Sequence, residues 1–227
     1  MVCSACISQV LAGCEDTPDH LDFAPRTVQF SVSHDSKQWR GAPPGYRAVV
    51  CAGPQAVTSD CCSPPTGAVD CQRYPVTCDE VDNFCALAFD VEIEASVDLL
   101  ADLAMIASDG RVFSKVALVE MSAKTANPKS PERQNSLPIR SASLYIGPKG
   151  VGSSASPEAT LVAEVPLDTE PKTFAPTVAG QEAFSRLARD YRTQFSWLLS
   201  AHFVVLIGTL PQGEMTVDLS WRARGEY

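Results

Sequence analysis

The run Phe89-Asp90-Val91-Glu92-Ile93-Glu94-Ala95-Ser96-Val97-Asp98-Leu99 decides the fold class. Its odd positions are apolar and its even positions acidic or polar. Successive side chains of a β-strand point to opposite faces, so a period of two marks a strand with one dry face and one wet face. That one-sidedness belongs to antiparallel sheets. Working outward, the same alternation recurs at Val28, Phe30 and Val32, at Ala142, Leu144 and Ile146, and at Leu161, Ala163, Val165 and Leu167. A long apolar face runs through Phe195, Trp197, Leu199, Ala201, Phe203, Val205 and Ile207. It returns through Met215, Val217, Leu219 and Trp221 after a Pro-Gly turn over 210–214.

One segment breaks the alternation. Beyond the turn signal Asp109-Gly110, Phe113, Ala117, Val119 and Met121 share one parity while Val112, Val116 and Leu118 share the other. This predicts a strand buried on both faces. A single helix is predicted over 180–191, where Ala183, Phe184, Leu187, Ala188 and Tyr191 fall at helical spacing. Its Phe184 and Leu187 are expected to cap an open end of the β body. An apolar hairpin is unstable alone in water, so these strands predict an all-β, antiparallel two-sheet β-sandwich with one short helix. Jelly-roll and immunoglobulin-like strand orders both remain open.

The chain has 227 residues, enough for one domain with a real core. Its 45% hydrophobic and 20% charged content is that of a globular protein. A net charge of −9 argues against nucleic acid and against an anionic bilayer surface, since both require clustered Lys and Arg. No apolar run reaches the roughly 18 residues of a membrane-spanning helix.

Cysteines are distributed unevenly. Three fall in the first 14 residues, none follows Cys85, and six lie in a Pro- and Gly-rich segment over 51–85: Cys51, Cys61, Cys62, Cys71, Cys78 and Cys85. Six in a confined stretch predict three disulfides, a disulfide-rich loop region and an oxidising compartment. Zinc modules need ligand pairs two to four residues apart, and the segment has neither a Cys-x-x-Cys pair nor a histidine. Adjacent Cys61 and Cys62 bond to different partners, because bridging neighbours strains the peptide. Asp79, Glu80 and Asp82 are the weak candidates for calcium. They lack the regular spacing and the downstream Glu of a calcium loop, and read better as a solvated acidic turn.

Residues 2–13 are mostly small or apolar and end in Leu11-Ala12-Gly13-Cys14. This tetrapeptide resembles the lipobox of bacterial lipoprotein precursors. The resemblance implies cleavage before Cys14, a diacylglyceryl group on its thiol, export to the cell envelope and a membrane partner reached through the lipid. No Lys or Arg occurs before Arg26, whereas such a signal ordinarily opens with one, so either the true start lies upstream of Met1 or the tetrapeptide is a coincidence of small residues. The resulting division is a signal-like segment over 1–13, an acidic tether over 14–26 and a single sandwich domain over 27–227.

Catalytic signatures are absent. His34-Asp35 is adjacent in sequence, and His202 has the opposite parity to Trp197 and Phe203, so it faces away from the core. No Gly-x-Ser-x-Gly or His-Glu-x-x-His pattern occurs, and no cofactor motif. The expectation is a structural or binding module with a protein or glycan partner. The alternative is a glycan hydrolase using a carboxylate pair, for which Glu92 and Glu94 share the wet face.

Overall fold

A computed structural model describes residues 20–33, 76–79, 84–100, 112–126, 139–206 and 214–227. These hold β1 (His20–Asp22), β2 (Arg26–Ser33), β3 (Val76–Asp79), β4 (Phe84–Val97), β5 (Lys115–Ala126), β6 (Ile139–Pro148), β7 (Thr160–Glu164), β8 (Lys172–Thr173), α1 (Val178–Ala188), β9 (Phe195–Leu206) and β10 (Glu214–Glu226). One antiparallel sheet runs β10-β5-β8, with β1 and β2 sharing the other side of β10. The second runs β3-β4-β9-β6-β7. Among the described residues, the two-sheet, mostly β architecture with one helix is the expected one.

The alternation of β4 works as read: Val91 and Val97 are buried while Asp90, Glu94 and Ser96 are exposed. Trp197 of β9 and Trp221 of β10 bring the two sheets into contact, with ring centroids 6.1 Å apart. Phe184 of α1 reaches both. It stacks on Trp197 at 5.9 Å and meets Trp221 edge-on at 5.6 Å. Phe184 is therefore a wedge inside the core rather than a cap over its end.

Two register shifts explain where the parity readings fail. Between β5 and β10, Glu120 pairs with Arg222 and Leu118 with Ala223, so Val119 has no partner. An extra residue of this kind flips the faces of everything beyond it. Val116 and Leu118 point inward on one side of the shift, and Met121 and Ala123 on the other. The strand expected to be buried on both faces is thus one-sided, and Val119 stands 45% exposed. Between β6 and β7, Leu144 pairs with Ala163 and Tyr145 with Leu161, which leaves Val162 as the extra residue. Val162 and Ala163 are both buried, and Leu161 is displaced from the inward row expected for it.

The stretch from His20 to Arg26, expected as part of a tether, belongs to the sandwich. His20, Leu21 and Asp22 pair with Glu226, Gly225 and Arg224, and Phe23 donates its N–H to the Ala223 carbonyl at 2.9 Å. Phe23 is buried and packs on Phe113 at 5.4 Å. Asp22 and Arg224 form a two-point ion pair at 2.7 and 3.3 Å. The Arg224 hydrogen bond holds the Asp22 carboxyl below its ordinary value.

The helix closes the side of the sandwich where β8 is only two residues long. Thr177 caps it, accepting from the Gly180 N–H at 2.9 Å and donating to the Leu161 carbonyl at 2.8 Å. Further along, Gln181 Oε1 and Ser185 Oγ accept the Leu118 and Val116 N–H groups of β5, each at 3.2 Å. Residues four apart on a helix are about 6 Å apart along its axis, close to the two-residue repeat of a strand. Two helix side chains thereby supply acceptors that a longer β8 would have given.

This docking is close enough to demand glycine. A Cβ at Gly180 falls 2.6 Å from the Val162 Cα and 3.1 Å from the Leu161 carbonyl. We predict that Gly180→Ala lowers unfolding free energy by about 1–3 kcal/mol, as overpacking does. A denaturant midpoint equal to that of the parent would refute the close approach. Replacing Gln181 by Leu should cost roughly 0.5–1.5 kcal/mol and speed hydrogen exchange at the Leu118 amide. Unchanged protection there would show that the side chain is not its acceptor.

Candidate functional site

The outer face of the second sheet gathers the polar side chains that alternation pushes out of the core. Strand register sets them in rows across β4, β9 and β6: Asp90 with His202 and Ser141, Glu92 with Ser200 and Ser143, Glu94 with Leu198 and Tyr145. The outcome is a hydroxyl- and carboxylate-bearing surface on a rigid, well-packed sheet.

His202 faces away from the core, as its parity predicts. Its Nδ1 lies 2.8 Å from Asp90 Oδ1, with 41% of the histidine and 59% of the aspartate side chain exposed. This is the base-and-orienter half of a triad. The directly opposite residue on β6 is Ser141, yet no hydroxyl among the described residues hydrogen-bonds the ring. A contact this exposed is worth little to stability.

Glu92 and Glu94 do share the wet face, and they are occupied. Glu94 Oε1 accepts the Gly150 N–H at 2.7 Å and the Ser196 hydroxyl at 2.5 Å. Glu92 Oε1 accepts the Ser154 N–H at 2.6 Å. Together they clasp the β6–β7 connection onto the sheet, at the foot of which Gly150 and Gly152 adopt positive φ of 84° and 52°. Lys149 extends the same clasp by donating to Gln194 at 2.5 Å, and Gln194 donates to Asp98 at 2.8 Å. The connection is thus tied to the sheet at its start, through Lys149 and Gly150, and midway along it, through Ser154. Next to it, Ser143 donates to both carboxylate oxygens of Glu164, at 3.0 and 3.1 Å.

Glu92 and Glu94 are therefore loop anchors, and neither lines either of two shallow clefts formed by described residues of the sandwich rim. One cleft, of about 400 Å³, lies between Pro25, Arg26, Thr27, Val28, Ser96 and Val97. Arg26 spans it, donating to the Asp98 carbonyl at 2.9 Å and lying 5.9 Å over the Trp221 ring. The other, of about 360 Å³, is bounded by His20, Ser114, Arg224, Glu226 and Tyr227.

The cysteine readings fall largely elsewhere. Cys14, Cys51, Cys61, Cys62 and Cys71 lie outside the described residues, as do Glu80 and Asp82. Asp79 ends β3, its backbone paired with Phe84, and Cys78 is paired in register with Cys85. Among the described residues no group of three His, Cys, Asp or Glu side chains is arranged to hold a metal ion, and no helix is long and apolar enough to cross a membrane.

No protein-family model matches the chain, and no curated protein is similar to it in sequence. Among solved structures, one of turnip yellow mosaic virus aligns over 79% of this chain and 89% of its own, at 10% identity and a TM-score of 0.27. One of desmodium yellow mottle tymovirus aligns over 72% and 85%, at 13% identity and a TM-score of 0.25.

The clasp makes a local prediction. Glu92→Gln with Glu94→Gln should speed hydrogen exchange at the Gly150 and Ser154 amides and open the 150–157 segment to proteases. The sandwich should stay folded, because the anchors sit outside the core. Protection at both amides equal to that of the parent would remove the carboxylates from this role.

Proposed function

We propose that the protein is a structural or binding module that works through its surface, on a jelly-roll sandwich. The strand order carries this reading. Leaving out the short β1 and the edge strand β3, the eight remaining strands pair first with last, second with seventh, third with sixth and fourth with fifth: β2 with β10, β4 with β9, β5 with β8, β6 with β7. That is the pairing of one long hairpin rolled up on itself. An immunoglobulin-like order would instead keep more consecutive strands together in one sheet. Jelly rolls of this kind serve as viral coat and lectin domains and as cupins. A cupin-like interior site is disfavoured by what fills this interior, namely Phe184, Trp197 and Trp221, all essentially without solvent contact.

The hydrolase reading has less support. Its carboxylate pair, Glu92 and Glu94, is occupied by backbone N–H groups of a clasped loop. Address and anchor follow from the sequence: a lipid on Cys14 would tie the module to the cell envelope, with a glycan or protein as its partner.

The full chain should bind a glycan or protein partner, or form a discrete oligomer by light scattering, and should release no reducing ends from polysaccharides. Turnover that Glu92→Gln abolishes would overturn the reading in favour of the hydrolase. Intact mass of the chain from its host should show a diacylglyceryl group on Cys14. A mature chain with an unmodified Cys14 would remove the anchor.

A further inference from the structure

We infer that Cys78 and Cys85 form a disulfide across β3 and β4, and that the four remaining cysteines of the 51–85 segment are then left with two pairing schemes. The inference rests on the reading that this segment is oxidised, and it supplies the connectivity which the sequence leaves open. The backbone register sets Cys78 directly opposite Cys85, between the pairs Thr77 with Ala86 and Asp79 with Phe84. Directly opposite residues of an antiparallel ladder have Cα atoms about 4.5 or 5.5 Å apart, according to the site in the ladder. Both values lie in the range of roughly 4.4–6.8 Å that a disulfide spans. No change in the backbone is needed to bring the two residues within reach.

The combinatorics then narrow sharply. Six cysteines allow fifteen connectivities and four allow three. Of those three, one joins Cys61 to Cys62, which strains the peptide between neighbours. What remains is Cys51–Cys61 with Cys62–Cys71, or Cys51–Cys62 with Cys61–Cys71.

The position gives the crosslink a purpose. Among the described residues, β3 is the terminal strand of its sheet and pairs with β4 over four residues. So short a pairing is marginal by itself and free to slip. A covalent bond across it locks the register of β3 on β4. Chemically, each thiol gives up one proton and one electron. The acceptor is a disulfide oxidant such as glutathione disulfide, which leaves as two thiols.

The test uses the full chain folded in a glutathione redox buffer, with free thiols alkylated at low pH. Cleavage after Arg73 and before Asp79, Asp82 and Asp90 should release Tyr74–Cys78 joined to Asp82–Phe89, a pair that separates on reduction. Cys78→Ser, Cys85→Ser and the double variant should melt alike, and each should lose the part of the reductant-induced fall in melting temperature that this bond supplies. Linkage of Cys78 or Cys85 to any other cysteine overturns the inference. So does alkylation of both in a chain whose other four are paired, or a metal ion on these thiols in native mass spectrometry. If the joined peptide forms in the redox buffer while protein from the host carries six free thiols, the pairing stands and the oxidising address falls.

Discussion

The contact on which the architecture depends is the wedge of Phe184 between Trp197 and Trp221. Each sheet offers one indole to the interior, and the helix inserts one phenyl ring that touches both. Phe195 adds a fourth ring, 5.7 Å from Phe184 and 5.9 Å from Trp197. Ring pairs of this geometry contribute about 0.5–1.5 kcal/mol each beyond the area they bury. The cluster has a polar cost, because neither buried indole N–H has a hydrogen-bond partner among the described residues. An unsatisfied buried donor costs about 1–3 kcal/mol. A ring of this size removes roughly 150–250 Å² from water, worth about 4–6 kcal/mol at 25 cal/mol per Å². Packing wins, and the core is organised by shape rather than by polar pairing.

The wedge also settles what happens at the open side of the sandwich. A sheet edge carries unpaired N–H and C=O groups that invite another strand. β8 covers only Ser122 and Ala123 of β5, leaving the amides of Val116 and Leu118 to be met otherwise. Docking Phe184 brings Gln181 and Ser185, on adjoining turns, to those two amides. At the far end of the helix, Arg189 donates to the Ser114 carbonyl through Nε at 3.0 Å, and its terminal nitrogen meets the same oxygen. On the other sheet, Thr177 meets the Val162 and Leu161 carbonyls of β7. One short helix therefore seals the edges of both sheets, and Gly180 is the residue that lets it come near enough.

Much of this was legible because burial in a strand has a period of two. The runs around Phe30, Val91, Leu144, Trp197 and Leu219 predicted strands that the structure contains, and helical spacing around Phe184 predicted α1. Reading failed where one residue interrupted the period. Val119 and Val162 are apolar residues in apolar company, so nothing in their chemistry announces the register shifts they cause. His20-Leu21-Asp22 reads as a polar linker, since its pairing with β10 is made through the backbone over more than 200 residues of separation. The Asp90–His202 pair was hidden for the same reason. Parity puts each residue on a wet face, but only the register of β4 against β9 puts them opposite one another.

That last point bears on how a surface of this kind acquires function. The core residues answer to volume, and replacing them changes stability before anything else. The residues of the outer face answer to register: Asp90, His202 and Ser141 share a row because three strands separated in the chain are aligned by the packing beneath them. A one-residue slip would send the whole row to the other face, so the placement of polar groups outside is enforced by apolar groups inside. Within that face Glu92 and Glu94 spend their carboxylates on the backbone of a neighbouring loop, which holds the loop against the sheet. The clasped loop and the aligned rows together form a preorganised plane. Recognition by a preorganised surface loses little entropy on binding, which is what the proposed binding role would require.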